Sequence, residues 1–124
     1  MRVLIVDDVE DIRKVHASFL HHLGHEVFCA SDGQQAIRSA KELSPDVVFM
    51  DISMPGMDGW QVAHELSHDP ATSDIRLVAI SALSGPDIES QSRKAGFKAH
   101  FVKPISADGW RDIFNDLARP GPSR

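Results

Sequence analysis

Five polar residues stand at the ends of four short strand-like runs. Asp7 and Asp8 follow Val3-Leu4-Ile5-Val6, and Asp51 follows Val47-Val48-Phe49-Met50. Ser81 follows Leu77-Val78-Ala79-Ile80, and Lys103 follows residues 99–102. If the fold gathers these residues, three carboxylates crowd one place and repel each other. A hard divalent cation relieves that repulsion. An all-oxygen ligand set suits Mg2+, which keeps some of its waters. A carboxylate beside Mg2+ and a lysine is also a nucleophile, and its attack on phosphorus gives an acyl phosphate. The transferred group carries its charge on equatorial oxygens. A dication, the Lys103 ammonium and the Ser81 hydroxyl are the donor types that hold such oxygens. The set therefore points to phosphoryl transfer onto a carboxylate. Taken singly, each residue has a plainer reading. An acidic pair after a strand favours a helix N-terminus, an Asp before a loop is a turn former, and a lone Ser or Lys is a surface residue.

The positioning elements follow from periodicity. The four runs above, together with Glu26–Ala30, read as strands. Continuous apolar runs of this length suit strands buried on both faces. Between them lie helical repeats. Ile12, Val15, Phe19, Leu20 and Leu23 predict a first helix with an inward apolar face, stopped by Gly24. Asp32 caps a second helix carrying Ala36, Ile37, Ala40 and Leu43, broken at Ser44-Pro45-Asp46. Val62, Ala63 and Leu66 mark a third, after a turn-rich loop over residues 53–59. Residues 68–74 read as loop. Pro86–Ala95 forms a weak fourth helix stopped by Gly96. Trp110, Ile113, Phe114 and Leu117 make the clearest helix of all. Five strands alternating with five helices predict an α/β fold with a parallel sheet and right-handed crossovers. In such sheets a site lies beyond the carboxyl ends of the strands. That rim is where all five polar residues fall.

Composition excludes several alternatives. The chain has 124 residues, enough for one domain. Hydrophobic residues are 42% and charged residues 25%, which rules out intrinsic disorder. The net charge of −5 is poorly suited to a nucleic-acid surface, since phosphate binding needs clustered cations. The single cysteine, Cys29, excludes an internal disulfide framework and points to a reducing compartment. No apolar run approaches the roughly 20 residues of a membrane span, and Asp7 comes too soon for a signal peptide. The expectation is a cytoplasmic domain with no nucleic-acid and no membrane partner.

Over residues 2–118 the sequence closely resembles the receiver domains of two-component response regulators. The matching pieces are residues 3–8, residues 48–59 with Met54-Pro55-Gly56-Met57-Asp58-Gly59, then Ala79-Ile80-Ser81-Ala82, then Val102-Lys103-Pro104. The resemblance implies a flavodoxin-like, doubly wound sheet of order 2-1-3-4-5 with helices on both faces. It implies a receiver over residues 1–118 and a flexible tail over 119–124. It makes Asp51 the phosphoacceptor. Asp8 becomes a direct Mg2+ ligand and Asp7 a ligand acting mostly through water. Asp51 and the Ser53 carbonyl complete the protein ligands. Ser81 and the backbone N–H of Ala82 grip the phosphoryl group, and Lys103 pairs with it. The Lys103-Pro104 bond is expected to be cis. Ser81 and His100 become the switch, His100 standing where Tyr or Phe is common. Ser53 and Leu83 flank the route of the hydrolytic water.

The implied partners are a histidine kinase or histidine phosphotransfer protein and a downstream protein target. The target would be met through the face running from the fourth helix to the fifth. Such a receiver is a signalling switch, not an enzyme beyond its own phosphorylation and dephosphorylation. It works as a monomer or a phosphorylation-dependent dimer. Two other settings remain open: a module cut from a hybrid histidine kinase or larger regulator, and a phosphatase that forms an aspartyl phosphate. The phosphatase would want an acid two residues after the nucleophile, where Ser53 stands. A flavin-binding module would want a phosphate loop where Asp7 and Asp8 repel phosphate.

Other residues have readings of their own. His21, His22 and His25 are split by Gly24 and share no face. His64 and His68 stand four apart and could chelate an adventitious transition metal if the third helix extends that far. Cys29 reads as a small buried hydrophobe, and Trp60 and Trp110 as packing residues. The weak fourth helix suits an element that moves.

Overall fold

The computed structural model describes residues 1–54 and 58–118. Strands and helices alternate as the apolar runs predict: β1 (Arg2–Val6), α1 (Glu10–His22), β2 (Glu26–Ala30), α2 (Gly33–Leu43), β3 (Val47–Asp51), α3 (Gly59–His68), β4 (Arg76–Ser81), α4 (Pro86–Ala95), β5 (Ala99–Val102) and α5 (Ala107–Ala118). The strands pair in parallel in the order β2-β1-β3-β4-β5. The expected tail over residues 119–124 lies outside the described residues, as do Pro55, Gly56 and Met57.

The sheet is covered on both faces, so the central strands are apolar and buried through their middles, at residues 3–6, 47–50 and 77–80. Side chains alternate across the pleat. Leu4, Val6, Val48, Met50, Leu77 and Ala79 face α2, α3 and α4, joining Ala36, Ala40, Val62, Ala63, Leu66 and Phe97. Val3, Ile5, Val47, Phe49, Val78 and Ile80 face α1 and α5, joining Leu20, Trp110, Ile113 and Phe114. Phe49 meets Trp110 edge-on at 4.9 Å. The Asp32 side chain accepts from the Gln35 N–H and starts α2, as expected of its cap.

Two expectations of burial are overturned. On α1, Ile12 and Val15 are exposed, Val15 at 65%. The helix turns Leu20 fully inward and leaves Phe19, Leu23 and His16 half-buried. His16 lies edge-on to Trp110, with ring centroids 5.2 Å apart. The apolar spacing named a stripe, but the seam against α5 runs through a histidine. Cys29 is exposed, not a buried hydrophobe. It lies on β2, which ends the sheet and has a neighbouring strand on one side only. Partial burial still pushes its thiol above the ordinary range.

The weak fourth helix forms over the expected residues. Its N-cap, Gly85, makes no side-chain capping bond. It buries only Ser92 and Ala95 fully, with Ile88 packed partly against the core. A further bond ties it to α3: the Trp60 indole N–H donates to the Ser92 hydroxyl at 3.0 Å. The helix stops at Gly96 in the left-handed region, with φ 114°. α3 extends through His68, one residue into the stretch read as loop.

Candidate functional site

The carboxyl end of β1 places Asp7 against the end of β3, because Val6 pairs with Met50. The register puts Asp51 beside Ile80 and Ser81 beside Val102. Backbone pairing continues past the strand, with the Lys103 N–H donating to the Ser81 carbonyl at 2.9 Å. Parallel strands that end together therefore bring Asp7, Asp51, Ser81 and Lys103 to one rim, as the chemistry of the sequence required. Carboxylate oxygens of Asp7, Asp8 and Asp51 all lie within 4.8 Å of one another.

Asp7 and Asp51 are buried, and Asp8 is exposed. The Lys103 ammonium bridges the buried pair, at 2.8 Å from Asp7 Oδ2 and 2.9 Å from Asp51 Oδ2. Burial alone would lower the lysine's pKa. The hydrogen bonds and charges of Asp7 and Asp51 outweigh it and hold Lys103 above its ordinary range. Asp7 Oδ1 accepts the Val9 N–H at 2.9 Å, and the Asp7 carbonyl accepts from Arg13 at 2.7 Å. Asp51 Oδ1 accepts both the Ser53 N–H at 2.8 Å and the Ser53 hydroxyl at 2.7 Å. Among the described residues, Asp8 has no hydrogen bond within the protein, so its carboxylate faces solvent ready for an incoming ion.

The residues fit a small hard cation. Opposite ligands of octahedral Mg2+ lie about 4.2 Å apart, twice its ~2.1 Å bond length. The carboxylate oxygens of Asp7, Asp8 and Asp51, within 4.8 Å of one another, are close enough to share one such ion. Three carboxylates outnumber the two cations beside them, Lys103 and Arg13, which favours a dication further.

Ser81 is fully buried, and its hydroxyl oxygen accepts the Leu83 N–H at 2.9 Å. That bond leaves the hydroxyl hydrogen free to donate. The Lys103-Pro104 bond is cis, as expected. Gly59 lets the start of α3 press against the loop that follows Asp51. A Cβ there would meet Ile52 Cα at 2.7 Å.

His100 sits on β5 between Ala99 and Phe101, which face the α1–α5 core, so its ring points to the α4 side. Among the described residues, neither buried ring nitrogen has a hydrogen-bond partner. It lines a recess of about 100 Å³ with Glu89, Ser92, Arg93, Phe97 and Lys98. A buried polar group without a partner is costly in place. His16 was missed by the sequence reading. It lies close enough to Lys103 to feel its charge. Burial first, and then Lys103, push the His16 pKa below its ordinary value, against a smaller opposing pull from Asp7. A histidine among helical apolar positions was the only available signal.

Comparison with known proteins agrees with this geometry. The sequence profile of the response regulator receiver domain matches residues 3–115. Chemotaxis protein CheY of Bacillus subtilis is 39% identical over 115 residues, covering 92% of this chain and 94% of that protein. Response regulator PleD of Caulobacter vibrioides is 38% identical over 105 residues, covering 84% of this chain. The chain spans only 23% of PleD's length. The crystal structure of chemotaxis protein CheY4 of Vibrio cholerae superposes with a TM-score of 0.89 over 94% of this chain and 97% of that one. At 24% identity it speaks for the fold.

Proposed function

The chain belongs to the response regulator receiver family of two-component signalling, and from that premise we propose that Asp51 is its phosphoacceptor. A carboxylate oxygen of Asp51 attacks the phosphorus of a phosphohistidine on a histidine kinase or histidine phosphotransfer protein. The P–O bond forms as the P–N bond breaks, and the imidazole leaves with the electron pair and takes up a proton. The observation that carries this reading is Lys103 bridging Asp7 and Asp51 inside a three-carboxylate cluster. A nucleophile, a cation for the phosphoryl oxygens and an acidic metal cradle then lie within one rim.

Asp7, Asp8, Asp51 and the Ser53 carbonyl would hold Mg2+. The ion would supply charge neutralisation at the phosphoryl oxygens. Lys103 turns its ammonium to the transferred group as Asp51 loses its charge to it. Ser81 offers its free hydroxyl hydrogen and Ala82 its N–H. Ser53 favours the receiver reading over a phosphatase, because a hydroxyl bound to Asp51 stands where a general acid would be needed. Water returns Asp51 to a carboxylate past Ser53 and Leu83.

Signal output runs through Ser81 and His100 to the α4–β5–α5 face. His100 supports this by holding two buried nitrogens on the α4 side that lack a partner among the described residues. The receiver comprises residues 1–118 and acts in the cytoplasm on a downstream protein, as a monomer or a phosphorylation-dependent dimer. Among the described residues no helix is long and apolar enough to cross a membrane.

The test is intact mass after incubation with acetyl phosphate and Mg2+, beside Asp51→Asn. A single phosphoryl adduct is expected, absent from the variant and removed by hydroxylamine. If acetyl phosphate and a panel of phosphorylated histidine kinases all leave the mass unchanged, Asp51 is not a phosphoacceptor. Unaltered hydrogen exchange in residues 82–100 after phosphorylation would overturn the output route alone.

A further inference from the structure

We propose that the last turn of α3 carries a second, chemically distinct metal site. It would take a divalent transition metal such as Zn2+ or Cu2+ on the imidazoles of His64 and His68. The helix runs to His68, so the two residues occupy one exposed face a turn apart. Their rings stand side by side, centroids 4.0 Å apart and planes inclined by 23°. His68 is oriented further, since its Nδ1 lies 2.8 Å from the His64 carbonyl oxygen. A ring nitrogen facing a carbonyl carries the hydrogen, which leaves the Nε2 lone pair for a ligand. A backbone carbonyl holding the far nitrogen is the bond that orients metal-binding histidines.

The surroundings favour a cation as well. The turn lies at the negative end of the helix dipole. Glu65 and Asp69 line the same open recess with Gln61 and the two histidines. Asp69 is committed to Lys41 at 3.2 Å and to the Ala71 N–H at 2.9 Å. The first ligands are therefore the two imidazoles, with Glu65 at hand and water filling the remaining positions. With His68 held by its Nδ1 bond, rotation of the exposed His64 side chain brings a ring nitrogen of His64 toward the ion at His68 Nε2. Nitrogen donors select Zn2+ and Cu2+, whereas the Asp7–Asp8–Asp51 rim offers oxygen alone and suits Mg2+. The site is thus independent of the phosphoryl chemistry.

Calorimetric titration of the whole chain with ZnCl2, then with CuCl2, in excess Mg2+ tests this. One equivalent is expected at α3, with Cu2+ the tighter of the two. His64→Ala and His68→Ala should each weaken binding by at least about tenfold, the loss expected when a chelate's second ligand is removed. Asp51→Asn and the double change His21→Ala, His22→Ala should leave it unchanged. Both histidines are exposed, so their removal spares the core. Substoichiometric Cu2+ should broaden amide resonances around residues 64 and 68 first. Absence of Zn2+ binding, parental affinity in either single variant, or broadening centred on residues 7, 8 and 51 or on 21–25 would overturn the proposal.

Discussion

Replacing Lys103 by methionine keeps the length of the side chain and removes its charge. The ammonium makes two bonds, of 2.8 and 2.9 Å, to buried carboxylates, and the side chain is 17% exposed. A hydrogen bond to a charged group contributes about 1.5–3 kcal/mol net, so the pair contributes about 3–6 kcal/mol. Partial exposure of the lysine moves this toward the lower end. A second effect has the same sign. Without the lysine, three carboxylates with oxygens within 4.8 Å repel with no counter-charge between the buried pair. In the presence of EDTA at neutral pH, Lys103→Met should therefore lose about 3–5 kcal/mol, the range for breaking a buried ion pair from one side. Mg2+ should restore part of the loss. The dication no longer competes with an ammonium for Asp7 and Asp51, so it should bind the variant at least about tenfold tighter, or ~1.4 kcal/mol. Urea unfolding of parent and variant, each with EDTA and with excess Mg2+, reads all four stabilities. A gap below about 0.5 kcal/mol in EDTA, the size of an ordinary surface change, would refute the bridging role. So would a gap that Mg2+ widens.

Further outcomes follow from individual residues. Lys103 has a raised pKa, so its stabilisation is present below the ordinary lysine range and lost as pH climbs through it. In a Cys29→Ser background, which removes the thiol titration, alkaline unfolding should show this loss in the parent but not in Lys103→Met; the chain has no tyrosine to obscure it. His16 and His25 have lowered pKa values, each from burial first and then a neighbouring cation. The unfolded chain protonates first as pH falls below about 6.5, so stability should drop there, and less steeply in a His16→Gln, His25→Gln variant followed by thermal unfolding. Ser92→Ala leaves the Trp60 indole without its partner and should cost about 1–3 kcal/mol, with a change in tryptophan emission. Gly24 and Gly96 both have positive φ, but only at Gly96 would a Cβ collide, 1.9 Å from the Ser67 hydroxyl oxygen. Gly96→Ala should therefore exceed Gly24→Ala in destabilisation by about 1–3 kcal/mol, the usual cost of overpacking, measured by urea unfolding.

The layered fold was legible in the amino-acid order because both of its signals are local. Apolar runs such as residues 47–50 mark strands covered on two faces, and Asp32, Gly24 and Gly96 mark where helices begin and end. The rim was legible as well, since parallel strands that end together must gather the residues that follow them, whatever those residues are. What the order could not decide was which side of each element meets which neighbour. Ile12 and Val15 repeat at helical spacing, yet α1 turns His16 and Leu20 inward. Its seam is set by Trp110 from α5, nearly a hundred residues further on. Cys29 lies in an apolar run, but β2 ends the sheet and leaves it exposed. The Trp60–Ser92 bond, the unsatisfied ring of His100 and the bridging position of Lys103 likewise depend on atoms far apart in the chain. Residue type and spacing therefore determined the chemistry available to this protein. Tertiary packing decided which groups share charge, because charge and burial act over a few ångströms of space, whatever the distance along the chain.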